Sequence, residues 1–197
     1  MLINNTKNVR KCQDMNDTIS KKTNNSKVRT CVLIAIYVAL VVILGKVANF
    51  TDGNVKLTLK NLPIYVGAIS LGSIPGALIG FLGELILQLT GEYGFTVTTL
   101  FWVLPQTILG AVCGLIFENN KVKTSSGVKF VICIIILQLF LTLLNTLVWC
   151  IDALVFGYFN YITLFGSLIT RLMLAVILGI YYCFLIPVLV DAIKKIH

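Results

Sequence analysis

From Cys31 to Val190 the chain is almost continuously apolar, and Gly, Pro and a few charges divide this stretch into segments about as long as a bilayer is thick. A crossing takes roughly 20 mainly apolar residues at about 1.5 Å of rise each. Inside lipid the backbone must satisfy its own hydrogen bonds, which makes helix the default. Only 12% of the residues are charged, against about 25% in a soluble domain. The expectation is an all-α membrane protein, a multi-pass protein of the cell membrane. Its function must then be built from the few polar groups that the apolar segments carry.

The segments read as six spans. The first runs from Cys31 to Ala48, and Asn61 to Leu71 forms a short second, begun near Pro63. Gly72-Ser73-Ile74-Pro75-Gly76 is a tight turn, and the third helix follows from Pro75 to Leu89. The fourth covers Thr96 to Phe117 and contains Pro105, and the fifth covers Val128 to Cys150. Asp152 to Leu164 reads as an aromatic loop before a sixth span, Phe165 to Val190. Segments two and three could instead be one kinked helix, which would leave five crossings.

Charge separates these alternatives. Seven of the 16 basic residues (Lys7, Arg10, Lys11, Lys21, Lys22, Lys27 and Arg29) lie in the first 30 positions. With six crossings, Lys121, Lys123, Lys129, Lys194 and Lys195 share their side, and only Lys46, Lys56 and Lys60 face outward. Five crossings would nearly erase that bias. The Lys/Arg asymmetry therefore favours a six-helix transmembrane bundle with cytoplasmic N- and C-termini. Residues 1–30 read as a disordered basic cytoplasmic tail, poor in aromatics, that anchors against the membrane rather than binding nucleic acid. Residues 31–197 form the transmembrane domain, with no secretory signal peptide before it.

Catalytic chemistry finds little footing. The one histidine is the terminal His197, so no Ser-His or Cys-His pair can form within the spans. The six cysteines (Cys12, Cys31, Cys113, Cys133, Cys150 and Cys183) have no CxxC spacing and read as reduced core residues, not as a metal or disulfide framework. No nucleotide-binding GxxxxGK[ST] is present. The expectation is a protein that is not an enzyme and uses no cofactor or metal. Uphill transport would need an ion gradient or another subunit.

Buried ionisable groups cost about 2.5–3.5 kcal/mol at mid-membrane, so each needs a partner or a wet cavity. The polar exceptions are Glu84, Gln88, Gln106, Gln138, Asn145, Asp152 and Arg171, and most fall toward the outer ends of their spans. Asn145 and Trp149 are four apart and share a helix face, with Asp152 just beyond. Phe95, Phe101, Trp102, Phe156, Tyr158, Phe159 and Tyr161 crowd the same end. Aromatics beside a few hydrogen-bonding groups suit a flat heterocycle in an outward-opening pocket, although an interfacial aromatic belt has the same composition. Ala35 and Ala39, and Gly72, Gly76, Gly80 and Gly83, form small-residue stripes that let another helix approach, within the chain or from a partner.

Three motifs add a family resemblance. They are Ala35 with Ala39 in helix one, Leu57-Thr58-Leu59-Lys60-Asn61-Leu62-Pro63-Ile64, and the run from Gly72 to Glu84. Together they resemble the substrate-binding S components of energy-coupling factor (ECF) vitamin importers over residues 28–190. Phe95 to Pro105 and Leu144-Asn145-Thr146-Leu147 are similar to the folate-type branch. Arg171 is followed by Leu-Met-Leu, a departure from some folate proteins. The resemblance implies a subunit that binds a vitamin, folate by this likeness, at its outer face. It also implies a membrane coupling protein and two cytosolic ATPase subunits as partners. Ala35 and Ala39 would dock on the coupling protein, and Asn49 to Lys60 would form a lid hinged at Gly53. For a pterin, Trp102 or Trp149 would stack, while Asn145 and Asp152 would read the amide and amino edge. Arg171, or Lys56 and Lys60, would meet the glutamate carboxylates, with Gln88 and Gln106 completing the pocket. The rival expectation is a stand-alone small secondary transporter or channel, which would need coupling groups near the membrane centre and paired repeats.

Overall fold

The computed structural model describes residues 27–47, 59–91, 94–118, 127–157 and 159–196, with backbone alone at 162–165, 167, 194 and 196. Six helices are described: α1 (Lys27–Val47), α2 (Asn61–Leu71), α3 (Ser73–Leu89), α4 (Thr99–Glu118), α5 (Gly127–Val155) and α6 (Tyr161–Ile196). The expected tail and most of the expected lid lie outside the described residues. So do Cys12, Lys56, Glu92, Lys121, Lys123 and Tyr158.

The kinked-helix alternative for α2 and α3 fails on geometry. A Cβ built on Gly76 would lie 2.6 Å from the Ala68 Cβ, and one on Gly67 would lie 2.5 Å from Ile79 Cδ1. Eight residues of continuous helix would separate Ala68 from Gly76 by about 12 Å. The chain therefore reverses between them. The reversal is made at Gly72, whose φ of 96° lies in the left-handed region that glycine alone enters cheaply. The Ser73 N–H then donates to the Glu118 carboxylate (3.2 Å), so α4 caps the start of α3 across the interface.

Register follows from the close approaches. Gly110 faces Gly76, the Gln106 backbone faces Gly80, and Gly114 faces Ser73, so α3 and α4 run antiparallel at backbone contact. Gly45 meets Leu87 and Gly83 meets Val41, so α1 runs parallel to α3. Gly179 lies against Ile135, and the Cys183 thiol reaches the Val131 carbonyl, so α5 and α6 are antiparallel. Phe117 packs on Phe130 at one end of α4 and α5 while Thr98 bonds Asp152 at the other. The six helices alternate up and down, and the start of α1 and the end of α6 share one end. That end, with Gly72 and Glu118, is termed lower; the upper end carries Val47, Asn61, Leu89, Thr99, Val155 and Tyr161.

Four of the described helices are long and apolar enough to cross a bilayer. The other two, α2 with 11 residues and α3 with 17, are shorter; at 1.5 Å per residue α2 is only about 16 Å long. One open alternative closes here, and one expectation changes. The glycines of α3 are consumed within the chain, by α4 and α1, because close helix packing needs the same small residues as partner docking. The aromatic loop after the fifth span shrinks: α5 continues to Val155 and α6 begins at Tyr161, so Asp152 is helical. The Phe156 N–H bonds the Asp152 carbonyl (3.0 Å), and the backbone ladder carries on through a charged residue.

Candidate functional site

The polar side chains of the upper half fall into two connected sets. In the first, Asp152 on α5 accepts a hydrogen bond from Thr98 Oγ1 (2.5 Å), and Trp102 Nε1 points to the same carboxylate oxygen at 3.5 Å. Thr98 is 1% exposed. It belongs to a hydroxyl cluster in which Thr96 Oγ1 lies 3.2 Å from Thr98 Oγ1 and 3.1 Å from Thr99 Oγ1. The cluster exists because Thr96 to Thr99 form the turn that opens α4: the Thr96 N–H donates to Thr99 Oγ1 (2.8 Å), and the Thr98 carbonyl accepts from Phe101 and Trp102.

Trp149 lies one turn below Asp152 on the same face of α5, and Asn145 one turn below that. Both are half-buried. The Arg171 guanidinium of α6 stands 5.5 Å from the Trp149 ring centroid. A planar guanidinium over an indole face is held by the ring quadrupole while its N–H groups remain directed outward in their own plane. Thr98, Trp102, Asp152, Trp149 and Arg171 thus form a continuous line across α4, α5 and α6. It offers aromatic faces, a carboxylate acceptor and cationic donors.

The second set is an ion pair. Lys60 Nζ lies 2.7 Å from Glu84 Oε2, and Gln88 Nε2 donates to Glu84 Oε1 (3.0 Å). The side chains are 19% and 4% exposed. The antiparallel register of α3 on α4 puts Glu84 level with Trp102, one turn above Gly80 and Gln106. In the structure Lys60 and Gln88, both expected to touch ligand, bond the buried Glu84 carboxylate. Lys46, expected to face outward, donates to the Thr90 carbonyl at the upper end of α3.

Gln106 is 2% exposed, one turn below Trp102, and its Oε1 has no hydrogen-bond partner. Gln138 is also buried, and there Tyr65 Oη donates to its Oε1 (3.1 Å). Below it the interior is apolar and aromatic, with Tyr65 against Tyr182 and Phe117 against Phe130. A groove of about 320 Å³ runs along the lower half of α3 and α4, lined by Ile74, Ala77, Leu78, Phe81, Ala111 and Leu115 with the hydroxyl residues Ser73 and Thr107. Its chemistry suits an acyl chain or helix, not a polar ring.

Sequence reasoning named Trp102, Asn145, Trp149, Asp152 and Arg171, and the structure places all five in the upper half of the bundle. It did not name Thr98, which the structure places on Asp152. The threonine run 96–99 was a signal for Thr98, since hydroxyls beside a tryptophan at a helix start invite a carboxylate partner. Asn61, read as the first residue of the second segment, begins α2 and is 2% exposed.

Ala35 and Ala39 are exposed on α1, on the side that carries Val28, Val32, Ile36 and Ile43 to the outside. A family model described as "ECF-type riboflavin transporter, S component" matches residues 25–194, nearly the whole chain and all six described helices. The family is the riboflavin type, not the folate type that the short motifs resemble. With its apolar helices, its upper-half polar line and this match, the chain belongs to the ECF-type riboflavin transporter S component family, membrane-integral substrate-binding subunits of vitamin transporters.

Proposed function

We propose that this subunit binds riboflavin in the upper half of the bundle, between α4, α5 and α6, and that the upper end faces outward. The observation that carries the choice over folate is the Lys60–Glu84 pair. Folate brings two glutamate carboxylates, and the lysine expected to receive them is already neutralised by a carboxylate of the chain. Riboflavin has a flat tricyclic ring and a neutral polyol chain. Its pyrimidine edge presents carbonyl, N–H and carbonyl in sequence. Asp152 is the acceptor suited to the N–H. Asn145 and the in-plane donors of Arg171 suit the carbonyls, and Trp102 and Trp149 flank the ring.

The alternating helices support six crossings with both termini cytoplasmic, in the sense favoured by the Lys/Arg bias. The energy comes from the partners that the family implies: a membrane coupling protein, met at Ala35 and Ala39, and two cytosolic ATPase subunits.

Riboflavin fluorescence provides the assay, because stacking on indole quenches the ring. Addition of the detergent-purified chain should quench riboflavin saturably, and excess folate should not reverse it. Asp152→Asn, which loses the charged acceptor, should weaken binding about tenfold or more. Unquenched riboflavin, or displacement by folate, would overturn the proposal.

A further inference from the structure

The hydroxyls of Thr96, Thr98 and Thr99 touch one another where α4 meets Asp152, and counting their hydrogens fixes the direction of every bond. An ionised carboxylate only accepts, so Thr98 gives its hydroxyl hydrogen to Asp152 Oδ1 at 2.5 Å. The 3.2 Å contact between Thr96 and Thr98 must then run the other way, with Thr96 Oγ1 donating to Thr98 Oγ1. Thr96 has spent its own hydrogen on that bond, so across 3.1 Å it accepts from Thr99 Oγ1. Thr99 Oγ1 in turn accepts the Thr96 backbone N–H (2.8 Å), which ties the head of the series to the main chain. The donation runs in the order Thr99, Thr96, Thr98, Asp152.

This relay is held along its length. Thr98 and Thr99 are each 1% exposed, so water does not compete for their hydroxyls. The Thr98 carbonyl accepts from Phe101 and Trp102, which fixes its backbone to the first turn of α4. Asp152 therefore meets α4 at the start of the helix, where the positive end of the dipole favours a carboxylate. Trp102 Nε1 points to the same oxygen at 3.5 Å. Aligned hydroxyls polarise one another, so the bond onto the carboxylate is strengthened by those behind it.

We infer that Thr98 is a positioning residue, the last member of a hydroxyl relay that fixes Asp152 as the acceptor for the ring N–H of the ligand. This rests on the riboflavin reading above. Asp152 stands on α5 and the hydroxyls that aim it stand at the start of α4, so the acceptor is oriented from the facing helix. A ligand N–H then meets a carboxylate already held in place, and the cost of ordering that side chain does not fall on binding. Thr98 acts through Asp152 and touches no ligand atom, which separates its role from those of Trp102, Trp149 and Arg171.

The test compares riboflavin with N3-methylriboflavin, whose ring lacks the N–H that Asp152 accepts. Thr98→Val keeps the shape of the side chain and removes the donor, whereas Thr98→Ser keeps the donor. In quenching titrations Thr98→Val should bind riboflavin about tenfold more weakly than the unsubstituted protein, and Thr98→Ser should recover affinity to within about threefold. Affinity for N3-methylriboflavin, weaker from the outset, should differ by no more than about twofold among the three proteins. Thr99→Val removes only the head of the relay and should cost riboflavin about threefold with the same selectivity, which provides the reading if Thr98→Val does not fold. Full riboflavin affinity in Thr98→Val, equal losses for the two flavins, or Thr98→Ser as weak as Thr98→Val would each overturn the positioning role. Failure of the unsubstituted chain to bind riboflavin would instead reject the riboflavin reading, and the role of the relay with it.

Discussion

Replacing Lys60 with Met leaves Glu84 in place with a carboxylate side chain only 4% exposed and with Gln88 as its remaining donor. At 2.7 Å and an effective dielectric of about 20, the bare attraction is about 6 kcal/mol. Desolvation of both groups cancels much of it, so the net worth of such a pair is far smaller than the cost of stranding one member. Lys60 retains 19% of its exposure, which puts the loss for Lys60→Met near the bottom of the range for broken buried pairs, about 3 kcal/mol. Glu84→Gln should cost less, about 2 kcal/mol, because the amide can still bond Gln88 and the ammonium can move toward water. Combining the two removes both charges and should cost about 2 kcal/mol rather than the 5 kcal/mol that independence would require, a coupling of about 3 kcal/mol. Unfolding by SDS titration in mixed micelles reads these values, and flavin quenching on the same samples reads binding. Affinity for riboflavin should stay within about threefold throughout. A Lys60→Met loss below about 1 kcal/mol, or a tenfold drop in flavin affinity without a stability loss, would refute the argument and return Lys60 to the ligand.

Three further outcomes test other parts of the molecule. Gly110→Ala places a Cβ 2.1 Å from the Gly76 carbonyl oxygen; backbone cannot yield as a side-chain tip can, so SDS unfolding should show a loss of about 3 kcal/mol. Ala35→Leu with Ala39→Leu changes an exposed face of α1 and should leave stability within about 0.5 kcal/mol, with flavin binding intact but co-purification with the coupling protein abolished. Arg171→Lys keeps the charge but loses the planar guanidinium over Trp149, and quenching titrations should show about fivefold weaker riboflavin binding.

The helices were legible because their signals are local. Apolar runs, Gly72 and Pro63 mark where α2 and α3 begin and turn, and the bounds of α2 are those read from the residues. The end of α5 was misread for an equally local reason: Asp152 and the aromatics that follow it interrupt hydropathy without interrupting backbone hydrogen bonding. Partnerships were another matter. Lys60 and Glu84 are 24 residues apart, and Thr98 and Asp152 are 54 apart; nothing in spacing selects one lysine or one threonine for a given carboxylate. The glycines of α3 show the limit clearly. The requirement for small side chains could be read from the sequence, but it is identical whether the approaching backbone belongs to α4 or to another protein.

The arrangement also explains how a ligand would act on this bundle. Glycine contacts bind α2, α3 and α4 into one wall at backbone distance, and Gly179 against Ile135 draws α5 and α6 into a second. Side chains join the walls: aromatic pairs at the bottom, Tyr65–Gln138 in the middle, Thr98–Asp152 at the top. The top seam carries the Thr96, Thr98, Thr99, Trp102 and Asp152 polar groups. A flavin seated there would touch Trp102 from one wall and Trp149, Asp152 and Arg171 from the other. Its binding energy would go into fastening the two halves at this seam rather than into reshaping either half. The exposed face of α1, which packs on the first wall through Gly45 and Gly83, would then present the same surface to a coupling partner while the seam beside it is closed. A subunit can report occupancy in this way, through the rigidity of the body it offers for docking.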